Sequence, residues 1–164
     1  MTSGYGDGCH LFQLTGKETT FAAKDIYPKT IQRKVKNAHG GMVLVGDYVY
    51  GHAKRSGWVC QDFKSGKILW LDRNKLVCES GSIMAVEDRL YLFTESGEAV
   101  LLEADPKAWK EQGRFEIPEK SKIPQTRKTS QKAGIWTHPV VANGRLYLRD
   151  QELLFCYDVR AKKE

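Results

Sequence analysis

Met42-Val43-Leu44-Val45-Gly46-Asp47-Tyr48-Val49-Tyr50 sets an apolar strand, a two-residue turn and a second strand that alternates apolar and polar residues. Gly-Asp at the turn supplies the positive φ that a tight hairpin demands, and the β-branched and aromatic flanks favour extended backbone. The same phrase returns as Val86-Glu87-Asp88-Arg89-Leu90-Tyr91 and as Ala142-Asn143-Gly144-Arg145-Leu146-Tyr147. Copies spaced about 40 to 55 residues apart belong to propellers or solenoids, in which each unit is a small sheet stacked on the next. The expected fold is therefore all-β: a β-propeller fragment of about 3.5 blades of four-stranded antiparallel sheets, or half a propeller.

Working outward, residues 40–73 read as one complete blade. Its hairpin leads through Gly57 into Trp58-Val59-Cys60-Gln61-Asp62, and the turn Asp62-Phe63-Lys64-Ser65-Gly66 leads into Lys67 to Leu71. Asp opens such a turn by accepting backbone N–H groups, and Gly closes it by taking positive φ. Residues 81–117 repeat the plan, with Ala104 to Gln112 expected to include one short helical turn starting near Pro106. Residues 136–160 carry three strands and form a partial blade. Residues 1–28 form another, read as Cys9 to Leu14, a Thr15-Gly16-Lys17 turn and Thr20 to Ala23. Between blades, residues 118–134 hold Pro118, Pro124 and many polar residues with no periodic apolar set, the signature of an exposed loop insertion. All of it, residues 1–164, is expected to be one propeller domain.

At 41% apolar residues the chain has enough for a sizeable core. Its formal charge of +6 is concentrated in two connectors, Lys24 to Lys36 and Glu119 to Lys132. The first holds a single aromatic residue, Tyr27, and the second none, too few for a base-stacking series, so a nucleic-acid platform is not expected. The sequence has no apolar run long enough for a membrane span, and no signal peptide is expected from its first residues. Cys9, Cys60, Cys78 and Cys156 lie in no C-x-x-C spacing and read as free buried thiols, with Cys60 and Cys156 at equivalent core positions of different blades.

Candidate chemistry is sparse. His39-Gly40-Gly41 and His138-Pro139 each lead into the first strand of a blade, the strand nearest a propeller's channel, so His39 and His138 are the possible channel-facing pair. Asp62 and Asp158 stand at equivalent places of separate units, which favours a structural role over a paired acid and base. No residue is assigned a catalytic, cofactor-binding or metal-binding role.

The Asp62 to Trp70 turn and the strand pairs Val43 to Tyr50 and Pro139 to Tyr147 resemble the pyrroloquinoline-quinone (PQQ) type β-propeller repeat. The likeness covers nearly the whole chain apart from the basic connectors, and it is to the C-terminal half of planctomycete-type PQQ-like repeat proteins. It implies a ring of about seven or eight blades, in which Tyr50, Asp62, Gly66, Trp70, Tyr91, Tyr147 and Asp158 are structural repeat positions. Only Trp70 fills the docking-Trp place after a Gly-Lys turn, where it seals neighbouring blades. Alcohol-oxidising members hold PQQ over calcium beside a vicinal Cys-Cys disulfide. This chain has no adjacent cysteines, and no cofactor is expected.

The function expected is a non-enzymatic bacterial scaffold or binding module, in keeping with relatives of the repeat that act in outer-membrane assembly. The alternative is a fragment of a PQQ- and calcium-dependent alcohol dehydrogenase. An open run of blades leaves faces to be covered, so a homodimer completing a seven- or eight-bladed ring is expected. Closure as a small four-bladed ring and membership of a longer chain stay open beside it. Localisation follows the same split: cytoplasmic if free-standing, exported if part of a longer relative.

Overall fold

Asn143 and Gly144 are both left-handed (φ 52° and 72°), the requirement of a two-residue type I′ hairpin turn. They join β13 (Val140–Ala142) to β14 (Arg145–Asp150), which pairs in turn with β15 (Leu153–Asp158). The computed structural model describes residues 1–4, 8–72, 80–123 and 134–161. Cys78 and most of the 118–134 insertion, with Arg127, Lys128 and Lys132, lie outside the described residues.

The three-stranded sheet β13-β14-β15 is here called blade III. Two four-stranded antiparallel sheets precede it. Blade I holds β5 (Met42–Val45), β6 (Tyr48–Ala53), β7 (Gly57–Asp62) and β8 (Ile68–Asp72); blade II holds β9 (Gly81–Val86), β10 (Arg89–Thr94), β11 (Glu98–Glu103) and β12 (Lys110–Glu116). Strands follow one another in space as in sequence. Before blade I come the pair β1 (Thr2–Ser3) and β2 (Gly8–Cys9), the hairpin β3 (Phe12–Lys17) and β4 (Thr20–Asp25), and one helical turn, α1 (Lys29–Gln32).

Alternation along the strands gives each sheet two apolar faces, and stacking buries them in three clusters. Tyr50 and Cys60 of blade I pack on Ile83, Leu90, Leu92, Val100 and Leu102 of blade II. Phe93 and Ala99 on the opposite face of blade II pack on Leu146 and Leu148 of blade III. Val59 and Ala53 pack on Cys9, Tyr27 and Val35 of the N-terminal segment. The core is thus distributed between sheets, as a propeller requires.

Three details depart from the sequence reading. Gly16 lies inside β3 opposite Phe21, where a Cβ would come within 2.4 Å of the Phe21 ring, so it makes room for an aromatic while Glu18 (φ 58°) takes the turn. Residues 104–109 form no helix; Asp105 Oδ1 accepts the Lys107 N–H at 2.7 Å and β12 starts at Lys110. Cys156 is exposed although Cys60 is fully buried, because the blade III face that carries it has no neighbour among the described residues.

Candidate functional site

The lead-ins to β5, β9 and β13 converge, and glycine is what lets them. Gly40 (φ 80°) abuts the start of β9 so closely that a Cβ would lie 1.9 Å from the Gly81 carbonyl oxygen. Ile83 N–H donates to the Gly40 carbonyl at 3.3 Å across the blades. Asn37, buried behind this crossing, fixes the path: its Nδ2 donates to the carbonyls of His39 and Gly41 at 2.9 Å and of His52 at 3.0 Å. A buried amide serving three carbonyls satisfies groups that would otherwise be desolvated without partners.

His39 and His138 are brought to the same convergence. The His39 ring stacks on Trp136, centroids 4.7 Å apart and planes 12° from parallel. His138 is exposed beside Gly41, whose Cβ, if present, would sit 3.6 Å from His138 Cε1. Trp136 is held from below: its Nε1–H donates to Glu95 Oε1 at 3.0 Å, and Ser80 Oγ donates to the same oxygen. Ile135 N–H donates to the Glu95 carbonyl at 3.0 Å, tying the blade III lead-in to blade II. Two imidazoles and an indole thus gather at the mouth where the three lead-ins meet, beside a carboxylate already engaged by the indole and a hydroxyl. The mouth offers stacking and hydrogen bonding. Among the described residues no group of three or more His, Cys, Asp or Glu gathers to hold a metal ion. The sequence singled out the two histidines as candidates and passed over Asn37, Glu95 and Ser80; the Gly40-Gly41 pair just after Asn37 was the available signal of a tight crossing.

The repeat residues lie elsewhere. Asp62 ends β7 and Asp158 ends β15, at matching positions of separate sheets. Asp62 Oδ1 accepts from Ser65 N at 2.7 Å and Ser65 Oγ at 2.5 Å, bonds that hold its carboxyl below the usual range, while Gly66 N–H donates to the Asp62 carbonyl at 2.9 Å. The Arg160 side chain and backbone N–H bring Asp158 down to about 2. Trp70 leans from β8 onto blade II: its Nε1–H donates to the Asp105 carbonyl at 2.8 Å, and its ring lies 6.0 Å from both Tyr50 and Trp109. Tyr50 is 1% exposed, and burial raises its phenol and pushes the adjoining Cys60 thiol up to about 11. Tyr91 packs in the blade II–III cluster. Tyr147, in the same register, is half-buried on the outer face of blade III.

Arg33, Lys34 and Lys36 of the first basic connector line a second depression, of about 390 Å³, together with Lys54 and Arg55 of the β6–β7 turn. Among the described residues no aromatic side chain lines it. Among the described residues no helix is long and apolar enough to cross a membrane.

No family profile matches the chain, and no curated protein sequence matches it. Solved structures do. The crystal structure of BamB from Moraxella catarrhalis aligns with a TM-score of 0.51 and 15% identity, covering 87% of this chain and 41% of that one. The chain therefore spans less than half the length of that protein, and at this identity the likeness speaks for the fold alone. With its consecutive antiparallel sheets, the chain is a β-propeller fragment of about three and a half blades.

Proposed function

We propose that this propeller is a non-enzymatic binding scaffold that completes its ring by pairing with a second copy of itself. One observation carries the proposal: residues in matching rows are buried between blades and open at the ends of the stack. Across blade I the row Val43, Tyr50, Cys60 faces blade II, and across blade III the matching row is Val140, Tyr147, Cys156. Tyr50 and Cys60 are 1% and 0% exposed, whereas Val140 is 49% exposed and neighbouring Leu154 66%. At the other end, Val49 stands where Leu90 stands in blade II; Leu90 is fully buried, while Leu44 beside Val49 is 53% exposed, the N-terminal segment covering only the part of that face around Ala53, Val59 and Gln61. One open face thus has the chemistry of the surface that covers its counterpart inside the stack. Burying an exposed Leu or Val at such a contact is worth about 1.5 to 3 kcal/mol, so a few of them outweigh part of the cost of association.

The blades would then serve as a frame that presents the His39, Trp136 and His138 mouth and the connector loops to another protein. Sedimentation equilibrium over a concentration series tests the assembly. A mass of two chains is expected, with Leu154→Asp shifting it to one chain while the far-ultraviolet spectrum stays that of a β-protein. A wild-type mass of one chain at every concentration would sink the proposal.

A further inference from the structure

Blades I and II share one register down to an irregularity. In blade I, Cys60 pairs with Trp70 and the register slips between Cys60 and Gln61; in blade II, Leu101 pairs with Gly113 and the register slips between Leu101 and Leu102. Tyr50 pairs with Cys60 as Tyr91 pairs with Leu101. Gly113 therefore occupies the place of Trp70. Between blades I and II that place is filled by an indole. Between blades II and III it holds no side chain, and a Cβ built on Gly113 meets nothing within 4 Å.

What stands there instead is an apolar cleft of about 310 Å³, lined by Tyr91, Leu101, Gly113, Phe115, Leu146 and Val159 among others. Phe115 closes one wall against Tyr157 of blade III, ring centroids 4.6 Å apart. Arg114 pairs with Val100 on the face of blade II turned toward blade I, where Glu111 holds its guanidinium at 2.6 and 2.7 Å and Glu98 at 2.9 Å, so its charge is directed away from the cleft. A closed apolar cavity of about 150 Å³ is enough to bind benzene, and this volume is about twice that. The polar half of the Trp70 socket also has a counterpart. Val159 N–H donates to the Gly144 carbonyl at 2.9 Å as Ala104 N–H donates to the Asp88 carbonyl at 2.8 Å. Arg160 thereby stands in register with Asp105, whose carbonyl accepts the Trp70 indole N–H.

We propose that the cleft between blades II and III is a binding site for a free planar aromatic molecule of about indole size, seated where blade I carries its own tryptophan. An N–H heteroaromatic fits best, with its ring among Tyr91, Leu101 and Leu146 and its donor toward the Arg160 backbone. The site lies within one chain and is independent of how the ring closes.

Indole is the probe. Calorimetric titration should give saturable one-to-one binding per chain, and methyl resonances of Leu101, Leu146 and Val159 should shift together. Gly113→Trp should weaken indole binding at least tenfold and raise the thermal midpoint, because the new side chain supplies the missing indole. Should that variant fail to fold, Val159→Trp plugs the cleft from the opposite wall and should weaken binding equally. Absence of binding up to the solubility of indole, unchanged binding in the folded plugged variants, or shifts clustered elsewhere would overturn the proposal. So would a tryptophan-bearing peptide that binds ten times more tightly than indole, since the occupant would then be a partner protein.

Discussion

Replacing Trp70 by Ala removes an indole that reaches from blade I onto blade II and hydrogen-bonds there. A tryptophan buries about 150 to 250 Å² when fully enclosed. Trp70 is half-buried, so about 75 to 125 Å² leaves the interface, worth about 2 to 3 kcal/mol at about 25 cal/mol per Å². The lost bond to the Asp105 carbonyl adds about 1 kcal/mol. Tyr50 and Trp109 also lose the ring they lean on, which leaves a void that the rigid sheets fill only partly. A total near 4 kcal/mol corresponds to a fall of about 10 °C in the thermal midpoint for a chain of this size. Urea unfolding followed by circular dichroism supplies the second measure, with a lower midpoint concentration and an unchanged slope. Trp70→Phe should recover roughly half of the loss, keeping a ring but no donor. A Trp70→Ala midpoint within about 2 °C of wild type would refute the interface role assigned to this side chain.

Other expectations follow from the same contacts. Asn37→Ala should cost about 2 to 3 kcal/mol by unpairing three backbone carbonyls, and hydrogen exchange should accelerate first at Ile83 and its neighbours. Asp158 has its folded pKa depressed to about 2 by Arg160, against about 3.9 unfolded, so its small exposed contribution is complete above pH 4 and is lost as pH falls toward 2. Asp158→Asn should flatten that part of an acid-unfolding curve, and high salt should do the same. Among Cys9, Cys60 and Cys156, a disulfide reagent at neutral pH should modify Cys156 first and Cys60 last, since Cys60 is buried with its thiol raised; peptide mapping reads the order. Calcium and PQQ together should leave the thermal midpoint unmoved, and a stoichiometric shift with dye-linked turnover would reinstate the dehydrogenase reading.

The sheets were legible because their turns are written in local chemistry. Gly46-Asp47, Asn143-Gly144 and the Asp62 to Gly66 turn place the hairpins, and alternation along β6, β10 and β14 places the faces. What escaped was set by residues distant in sequence. Gly16 looked like a turn because nothing in its neighbourhood announces that Phe21 lies across from it. Cys156 looked like core because its counterpart Cys60, with blade II stacked on it, is fully buried. At the mouth, the two histidines were found from their places before first strands, but the stack of His39 on Trp136 and the hold of Glu95 on that indole join segments from three separate units. No local pattern encodes such contacts; only the stacking of the sheets creates them.

Each sheet touches just its sequence neighbours, so cooperativity in this molecule runs along a line. Blade II is gripped on both faces, blade I by blade II and by the residues around Cys9, Tyr27 and Val35, and blade III on one face, while β3 and β4 are exposed along their length. In nearest-neighbour terms the middle unit opens only after an end has frayed. Amide exchange should therefore be slowest in β9 to β11 and grade outward toward β3 and β15, like a zipper opened from its ends.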